Sequence, residues 1–467
     1  MASARPSVRV WSNPDLAVTW ILPEGAWLQF EGLSSPVQVL RGLGGGTQGQ
    51  VFEVAVGGER LALKWYLPSC LERDPHLERR LLESIRATAP SRAFLWPIAL
   101  LRPTAASLPL IRSRHPGFGY LMELRPPQFV GAVEHYGGRL DISLRQALRA
   151  SFFLAEAFHA LHSKGLCYKD ISLGNLFLEA ETGRILVCDN DNVDVDGRDL
   201  GSVLGTPGFM APEILMKQGR PGANSDLFSL AVLIFRMLTR HDPLKGRQEL
   251  QIRCLDEPAR RRLYGEIPLF IFDPDDERNR PDPVEHAAAL VTWPIYPKAL
   301  QALFIQTLAT GMRAPQQRAL TGQWMEALAA VLDQRQLCPS CGSEHFGSQA
   351  RCWQCGHSLS RAAALRSANG LVMACTDNDL HAHHFDSLEA PRLDQPIARV
   401  VAHPSDPTLQ GLRNLSNQPW RATAAGGQQV VVDPGKTCNL ASIHQLDTPW
   451  GAVHLEPANS EPSQLES

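Results

Sequence analysis

The stretch YKDISLGNLFLEAETGRILVCDND, residues 168–191, combines three oxygen-bearing side chains with a short apolar run. Asp170 is a candidate proton acceptor, and Asn175 follows it five residues later. The apolar run 185–188 predicts a buried strand that leads to Asp189. Asn175 and Asp189 carry oxygen ligands suited to Mg²⁺, a hard cation that keeps several waters and takes few protein ligands. A polar loop beside a core strand would contain the same residue types, so the neighbouring segments must decide between these two interpretations.

The bulk composition is that of a globular protein with several domains. The chain has 467 residues, which suggests roughly three domains. Hydrophobic residues make up 44% and charged residues 20%, and the net charge of −3 does not favour nucleic-acid binding. No apolar run approaches the length of a membrane span, and the first residues lack the apolar core of a signal peptide. We therefore expect a cytoplasmic protein without membrane association and with reduced cysteines.

A glycine-rich segment precedes the opening stretch by more than 100 residues. It contains Gly44, Gly46 and Gly49, followed by Val51. The same spacing could begin a dinucleotide-binding fold, but that fingerprint enters a helix. Here the glycines are followed by VFEVAV, which is rich in strand-forming residues. The segment therefore predicts a strand–turn–strand lid over a nucleotide, with Val51 above the adenine ring.

The next strand, LALKWY, carries Lys64 among apolar neighbours. Such a lysine either extends to water from a strand edge or holds phosphate, in which case Ala62 lies beside the adenine. The second role requires a glutamate on the following helix, and residues 77–86 offer Glu78 and Glu83. We prefer Glu78, because apolar residues follow it one helical turn later, although Glu83 is an open alternative.

Two further segments connect this strand to the opening stretch. GYLMELRPP, residues 119–127, predicts an apolar strand that ends at Glu123 before two prolines. It fits a hinge between two lobes, with Met122 at the back of an adenine pocket. Ser143 and Gln146 then predict a helix start, and apolar residues recur at helical spacing after them.

Beyond the opening stretch, the acidic, Gly-containing residues after Asp191 predict a surface loop. GTPGFMAPE then ends at Glu213, for which Arg318 is a candidate partner. Residues 224–238 are apolar nearly all round and predict a buried helix, in which Asp226 is an N-cap, a clamp on the catalytic loop or both. Residues 245–285 are polar and Pro-rich, and predict a surface insertion.

Taken in order, these segments resemble the eukaryotic-like Ser/Thr protein kinase family over residues 37–333. Each motif is weak alone, but seven motifs in the expected order are specific. The resemblance implies an α+β, bilobal kinase fold with ATP and Mg²⁺ in the cleft. The nucleotide-contacting positions that it implies are Gly44, Gly46, Gly49, Val51, Ala62, Lys64, Met122, Glu123 and Phe177.

The resemblance also assigns roles to the catalytic residues. Lys64 would hold the α- and β-phosphates and pair with Glu78. Asp170 would orient and deprotonate the acceptor hydroxyl, and Asn175 and Asp189 would hold Mg²⁺. Phosphoryl transfer depends mainly on positioning and on charge neutralisation, which these groups supply.

Five positions depart from the family pattern, and the first is Tyr168 in place of a histidine. Lys169 replaces an arginine that binds the activation-loop phosphate, so activity should not depend strongly on that phosphate. Ser172, a candidate catalytic residue, replaces a lysine and removes a positive charge from the γ-phosphate. Asn190 and Asp191 replace Phe and Gly, which weakens the packing switch of the metal loop. Asp191 is a further metal ligand or, as we favour, a solvated residue. These changes predict slow transfer, with a nucleotide-binding pseudokinase scaffold as the alternative.

The pattern CDNDNV, with its short acidic loop, also resembles a bacterial kinase subgroup. Those kinases are encoded beside tellurite-resistance-type von Willebrand A proteins and metal-dependent phosphatases. The resemblance implies such proteins as partners, in addition to a protein substrate or adaptor. Ser202 and Thr206 are candidate autophosphorylation sites, and Thr206 also suits a platform for the substrate.

The sequence CPSCGSEHFGSQARCWQCG contains two CxxC pairs that predict a structural zinc site. Each pair places two sulfurs on one turn, and two pairs complete a tetrahedron with no open position. Redox chemistry is disfavoured by the doubling, and a spacer or protein-docking role is favoured over nucleic-acid binding. The predicted zinc ligands are Cys338, Cys341, Cys352 and Cys355.

Short apolar runs separated by turn residues predict an all-β domain after the zinc ribbon. These runs loosely resemble the later strands of a forkhead-associated sandwich, but the Gly-Arg and Ser-x-x-His elements that hold phosphothreonine were not found. We interpret His381, His383 and His384 as histidines of an exposed strand rather than metal ligands. The predicted domains are the kinase-like domain 1–334, the zinc ribbon 335–361, the all-β interaction domain 362–457 and a disordered tail 458–467.

Overall fold

The computed structural model describes residues 19–46, 48–113, 117–198 and 205–458, with only the backbone at Pro407 and Thr408. The predicted tail, apart from Ala458, and Ser202 lie outside these residues. The chain divides into two compact units. The first consists of the described part of Met1–Thr88 together with Trp96–Arg125, and the second of Ala89–Leu95 with the described part of Pro126–Ser467.

The first unit is a six-stranded antiparallel sheet with two helices. Its elements are β1 (Trp27–Leu28), β2 (Val37–Gly45), β3 (Gly49–Val56), β4 (Glu59–Tyr66), α1 (Pro68–Arg73), α2 (Leu77–Ala87), β5 (Ala99–Leu101) and β6 (Gly119–Glu123). The sheet order is β1-β2-β3-β4-β6-β5. Phe52, Leu63, Trp65 and Leu121 belong to one buried cluster, because alternate residues of these strands point to one face.

The kinase-like part of the second unit is mainly helical. Its strands are β7 (Phe129–Gly131), β8 (Leu166–Cys167), β9 (Leu176–Glu179), β10 (Ile185–Val187) and β11 (Asp194–Val195). Its helices are α3 (Ala132–Tyr136), α4 (Leu144–Ser163), α5 (Pro212–Leu215), α6 (Ala223–Thr239), α7 (Arg247–Leu250), α8 (Glu257–Arg261), α9 (Ala287–Thr292), α10 (Lys298–Ile305), α11 (Gly311–Arg313) and α12 (Thr321–Asp333).

The long helices begin and pack as their sequences indicate. The hydroxyl of Ser143 accepts a hydrogen bond from the Gln146 N–H at 3.2 Å, which caps α4. Helix α6 is buried along nearly its whole length, as its all-round apolar sequence predicts. The surface prediction for residues 245–285 is wrong at Phe270, which is 1% exposed. Asn279 is also buried and donates to two main-chain carbonyls, which fixes the segment to the core.

A small hairpin follows α12 and consists of β12 (Arg335–Leu337) and β13 (Glu344–Phe346). The remaining strands are β14 (Ala364–Arg366), β15 (Leu371–Met373), β16 (Asp379–Leu380), β17 (Ala398–His403), β18 (Asp406–Asn414), β19 (Trp420–Ala424), β20 (Gln429–Val432), β21 (Thr437–Asn439), β22 (Ile443–Thr448) and β23 (Gly451–Glu456).

These ten strands form a β-sandwich, as the turn-separated apolar runs predict. One sheet has the order β15-β14-β23-β22-β19-β20, and the other has the order β16-β17-β18-β21. Val400 and Leu412 of the smaller sheet share a buried cluster with Trp420, Leu446 and Val453 of the larger sheet. Apolar side chains from both inner faces thus bury one another.

Helix α4 is bound to both C-terminal modules by charged side chains. The Arg145 N–H donates to Glu344 of the hairpin at 3.0 Å. Arg145 and Arg149 also lie 3.4 and 3.8 Å from a carboxylate oxygen of Asp379, next to the sandwich core. Arg335 binds Glu344 at 2.5 Å, and both side chains are buried. The sandwich is therefore joined to α4 by buried ion pairs, and the hairpin is joined to it by the hydrogen bond from the Arg145 backbone N–H to Glu344.

Candidate active site and metal centre

The carboxylate of Asp170 is hydrogen-bonded at both oxygens. Asn175 Nδ2 donates to Oδ2 at 3.2 Å and to the Asp170 carbonyl at 2.9 Å, and Thr206 Oγ1 donates to Oδ1 at 2.6 Å. Burial, with further contributions from the charges of Asp189 and Asp191, raises the pKa of Asp170 above its ordinary value. A raised pKa makes an oriented carboxylate a better general base near neutral pH.

Asp226 of helix α6 fixes the loop that carries Asp170. Its carboxylate accepts hydrogen bonds from the backbone N–H groups of Tyr168 at 2.7 Å and Lys169 at 3.0 Å. The ring of His162 lies 3.2 Å from the same carboxylate. Asp226 therefore acts as a clamp on the catalytic loop and not as the N-cap of α6, because Gly222 occupies the N-cap position.

The metal loop is anchored by polar bonds. The Tyr168 hydroxyl donates to the Cys188 carbonyl. Asn190 Nδ2 donates to the carbonyls of Leu95 at 2.8 Å and Val187 at 3.1 Å. Asn190 therefore anchors the metal loop through two buried hydrogen bonds, and the weaker packing switch stays a prediction.

Asp189 and Asp191 leave the strand β10 in a tight turn. Asp189 has a left-handed backbone with φ 53°, a conformation that side-chain-bearing residues adopt at a cost and often at functional sites. Asp191 is 3% exposed, so its interpretation as a solvated loop residue is wrong. The backbone of Asn175 accepts a hydrogen bond from the Cys188 N–H at 3.0 Å, directly before Asp189. This brings the amide and carboxylate oxygens to one region, and that donor set fits Mg²⁺.

Lys169 is held by Asp194, a residue of the acidic loop that was predicted to lie at the surface. Its Nζ lies 2.9 Å from Asp194 Oδ2, and Asp194 has no exposed side-chain area. Arg198 binds the other oxygen of Asp194 at 2.7 Å. Although burial opposes ionisation, the hydrogen bonds from Lys169 and Arg198 lower the pKa of Asp194. Ser172, the other departure beside Asp170, is also buried.

The predicted glycine lid is a β-hairpin between β2 and β3. Gly44 is the register partner of Val51, and the Gly46 N–H donates to the Gly49 carbonyl at 2.9 Å. A Cβ at Gly49 would lie 2.4 Å from the Trp65 carbonyl oxygen, so only glycine fits there. The strand–turn–strand prediction is confirmed, and a helix-entering dinucleotide fingerprint is excluded for this segment.

Lys64 lies in β4 with 4% exposure, and its Nζ contacts Gln48 Oε1 at 3.2 Å. In the part of the first unit that the structure describes, the carboxylate of Glu78 is bound by Arg102 and not by Lys64. The predicted Lys64–Glu78 pair is therefore not formed. The buried face of α2 consists of Leu77, Arg80, Leu81 and Ser84. Glu78 lies outside this face and contacts Arg102. The open alternative, Glu83, lies one turn further along the same helix.

The remaining predicted adenine-contacting residues lie on three strands. Ala62 of β4 and Met122 of β6 are register partners, and both are buried. Glu123 is the exposed last residue of β6. Phe177 lies in β9 of the second unit and is half-buried.

Glu213 and Arg318 form the predicted ion pair. Two guanidinium nitrogens of Arg318 contact the two carboxylate oxygens of Glu213 at 2.7 and 2.9 Å. Arg318 has no exposed side-chain area. This bidentate contact ties the start of α5 to the segment before α12.

The four predicted zinc ligands lie together. Their sulfur atoms are within 4.8 Å of one another, and Cys338–Cys355 and Cys341–Cys352 are separated by 3.6 Å. A tetrahedral zinc with Zn–S bonds of about 2.3 Å requires sulfurs about 3.8 Å apart, so the cluster fits this ion. The same turn occurs at both pairs: Gly342 and Gly356 are left-handed, and each N–H donates to the carbonyl of the first cysteine at 2.9 Å.

Part of the chain that contains this site is similar to known protein kinases. A family model described as protein kinase domain matches residues 134–289. A protein kinase C-like protein of Neurospora crassa is 34% identical over 135 residues, which are 26% of this chain and 12% of that protein. CBL-interacting protein kinase 4 of Oryza sativa is 31% identical over 134 residues, 27% of this chain and 28% of that protein.

These matches support a eukaryotic-like protein kinase domain in this chain. A protein kinase C-like protein of Hypocrea jecorina is similar at 36% identity over 119 residues, 10% of its length. The chain thus spans between 10 and 28% of the length of these curated relatives. Among the described residues, no helix is both long enough and apolar enough to cross a bilayer.

Proposed function

We propose that this protein is an ATP- and Mg²⁺-dependent serine/threonine protein kinase. The observation that carries the proposal is the doubly hydrogen-bonded carboxylate of Asp170, which Asn175 and Thr206 orient. Its raised pKa suits removal of a proton from an acceptor hydroxyl. Asp189, in its left-handed turn, supplies the neighbouring negative charge.

Each group has a distinct task in this mechanism. Asp170 accepts the proton of the serine or threonine hydroxyl as that oxygen attacks the γ-phosphorus. Lys64 and the glycine hairpin bind the phosphates of ATP. Mg²⁺, held by Asn175 and Asp189, would neutralise charge on the transferring phosphoryl group. Because Ser172 stands where the family pattern has a lysine that contacts the γ-phosphate, we propose that transfer is slow.

A pseudokinase scaffold is the second candidate function. It is favoured by one observation: the buried Ser172 stands where the family pattern has a catalytic-loop lysine, and Asn190 and Asp191 stand where it has Phe and Gly. In this alternative the chain binds nucleotide and transfers phosphate at a negligible rate.

An assay with the full-length protein separates the two functions. Purified protein is incubated with radiolabelled ATP and Mg²⁺, alone and with a generic protein substrate, beside Asp170→Asn and the exposed control Asp141→Asn. The kinase proposal expects Asp170→Asn to lose about 10²–10⁴-fold in transfer and Asp141→Asn to match the wild type. Equal transfer by Asp170→Asn and wild type would refute it. Thermal stabilisation by ATP without transfer would support the scaffold.

We also propose that the C-terminal modules recruit a protein substrate or adaptor in the cytoplasm. The four cysteines would hold a structural Zn²⁺, and the sandwich, for which a forkhead-associated-like fold is proposed, would present its free loops. The resemblance at CDNDNV suggests the bacterial subgroup, and hence a von Willebrand A protein and a phosphatase as partners. Titration of the full-length kinase with each purified candidate partner tests this, and a lack of binding to both would reject the assignment.

A further inference from the structure

Three histidines lie close together where the sandwich meets the helical part. His381, His383 and His384 each place a ring nitrogen within 4.8 Å of the other two. They belong to the turn Ala382–His384 and the residue before it, directly after β16. His381 is 3% exposed, His384 is 2% exposed and His383 is half-buried. The interpretation as an exposed strand is therefore wrong, because this turn is covered by α4 and α12.

Most ring nitrogens of this cluster that are buried have no hydrogen-bond partner. Among the described residues, both ring nitrogens of His381 and Nδ1 of His383 are buried and unpartnered. The Leu393 carbonyl lies close enough to the His381 ring to raise its pKa, but the two groups do not meet the geometry of a hydrogen bond. Buried polar atoms in native proteins are nearly always satisfied by protein, water or an ion. Three unsatisfied nitrogens at one place therefore indicate a missing ligand.

The surroundings supply acceptors for the nitrogens that face away from the cluster. His384 Nε2 lies 3.1 Å from Asp333 Oδ2, which fixes the N–H on this nitrogen. The lone pair of His384 is then on Nδ1, which accepts the His381 backbone N–H at 3.0 Å. The Leu393 carbonyl lies near the His381 ring, where it can accept a hydrogen bond from one ring nitrogen. Metal-binding histidines have such carboxylate or carbonyl partners on their second nitrogen.

We propose that His381, His383 and His384 form a second metal site, separate from the four cysteines, that binds a divalent transition-metal ion such as Zn²⁺. Imidazole ligands suit zinc and its first-row neighbours. A tetrahedral zinc with Zn–N bonds of about 2.1 Å needs nitrogens about 3.4 Å apart, so the rings must approach slightly. The ion would bind the lone pair on Nδ1 of His384 and would replace the hydrogen bond that this nitrogen accepts from the His381 backbone N–H. A cavity of about 20 Å³ beside His381 has room for a water as the fourth ligand.

The charges around the cluster are compatible with a cation. Burial lowers the pKa of His381 well below its ordinary value and that of His383 to about 4, so both rings are neutral ligands at pH 7. Two cations, Arg145 and Arg149, line the cavity beside His381 in the described structure, and a carboxylate oxygen of Asp379 lies 3.4 and 3.8 Å from their guanidinium groups. Asp333 adds a negative charge at the cluster. The ion would join the sandwich to the end of α12 and so to the kinase domain.

Metal counting on the full-length protein, purified without a histidine tag, tests this site. After loading with Zn²⁺ and dialysis, elemental analysis should find two ions per wild-type chain and one per His383→Ala chain. The control His444→Ala removes an exposed histidine of the same sandwich and should keep two. One ion in the wild type, or two in His383→Ala, would overturn the proposal.

Co²⁺ loading distinguishes loss of the site from loss of the fold. Wild type should show the spectrum of a thiolate-bound Co²⁺, with its charge-transfer and ligand-field bands, together with weaker ligand-field bands at shorter wavelength from the imidazole-bound ion. His383→Ala should keep the thiolate spectrum and lose the imidazole-site bands, whereas Cys352→Ser should weaken the thiolate spectrum and keep the imidazole-site bands. If wild type shows only the thiolate-bound spectrum, the histidines hold water or nothing and the proposal fails.

Discussion

Replacing Asp194 by asparagine should loosen the catalytic loop, because Lys169 would lose the charge that neutralises it. The two side chains are 2.9 Å apart, and their exposures are 3% for Lys169 and 0% for Asp194. Removing one partner of a buried ion pair costs about 3–5 kcal/mol, since a charge is left uncompensated. Asparagine keeps the shape and one acceptor oxygen, so we expect about 3 kcal/mol, the lower end of that range.

A multidomain chain need not unfold in one step, so the loss is best measured locally. Native-state hydrogen exchange, read by mass spectrometry, reports the opening free energy of the loop 166–176. A loss of about 3 kcal/mol corresponds to roughly 100-fold faster exchange, since each 1.4 kcal/mol is tenfold. The matched control is Asp196→Asn, an exposed residue two positions on that accepts one bond from the Ala223 N–H at 2.8 Å. It should exchange within about tenfold of wild type.

The same variant tests whether an internal carboxylate replaces activation-loop phosphorylation. Phosphatase treatment of the wild type should leave its transfer rate unchanged, because Asp194 already occupies Lys169 and Arg198. Asp194→Asn should transfer more slowly than Asp196→Asn. If the two variants exchange equally fast and transfer equally well, the ion pair does not hold the loop and the reasoning is refuted.

Three further outcomes are expected. Because the pKa of Asp170 is raised, the transfer rate should fall with decreasing pH at a value above 3.8, as a pH–rate profile will show, and Asp170→Asn should be at least as thermally stable as wild type at pH 7. Gly49→Ala should raise the KM for ATP and cost about 1–3 kcal/mol by overpacking, whereas Gly426→Ala, at an exposed position of the sandwich that meets no atom within 4 Å, should match wild type in both assays. Arg318→Met should lower the thermal midpoint by the equivalent of about 3–5 kcal/mol, and the pair is unimportant if adding Glu213→Leu recovers nothing.

Much of the kinase part was predictable because each motif has its own local geometry. The glycine hairpin, the capped helix after Ser143 and the buried helix 224–238 follow from turn chemistry and periodicity. The pair Glu213–Arg318 was predictable only through the family resemblance, since 105 residues separate its members. Local pattern thus indicates the elements, while pairings across the fold need another source.

The errors concern polar residues whose burial depends on tertiary contacts. Asp191 and Asp194 look solvated in an acidic loop, yet both are buried, one in the metal loop and one against Lys169. His381 looks like a strand histidine until α4 and α12 cover it. Glu78 satisfies the helical spacing, but Arg102, 24 residues later, binds its carboxylate. In each case the partner lies on a separate element, which hydrophobic periodicity does not specify.

The ion pairs between helix α4 and the sandwich set a limit on how this chain can be divided. The side chains of Arg145 and Arg149 are only 12% and 10% exposed, and both lie beside Asp379. Cutting the chain after residue 334 would uncover two cations and the apolar surface around them, so a kinase domain prepared by truncation would lose solubility. A sandwich exchanged between relatives would likewise need an acidic residue at the position of Asp379 to keep these pairs.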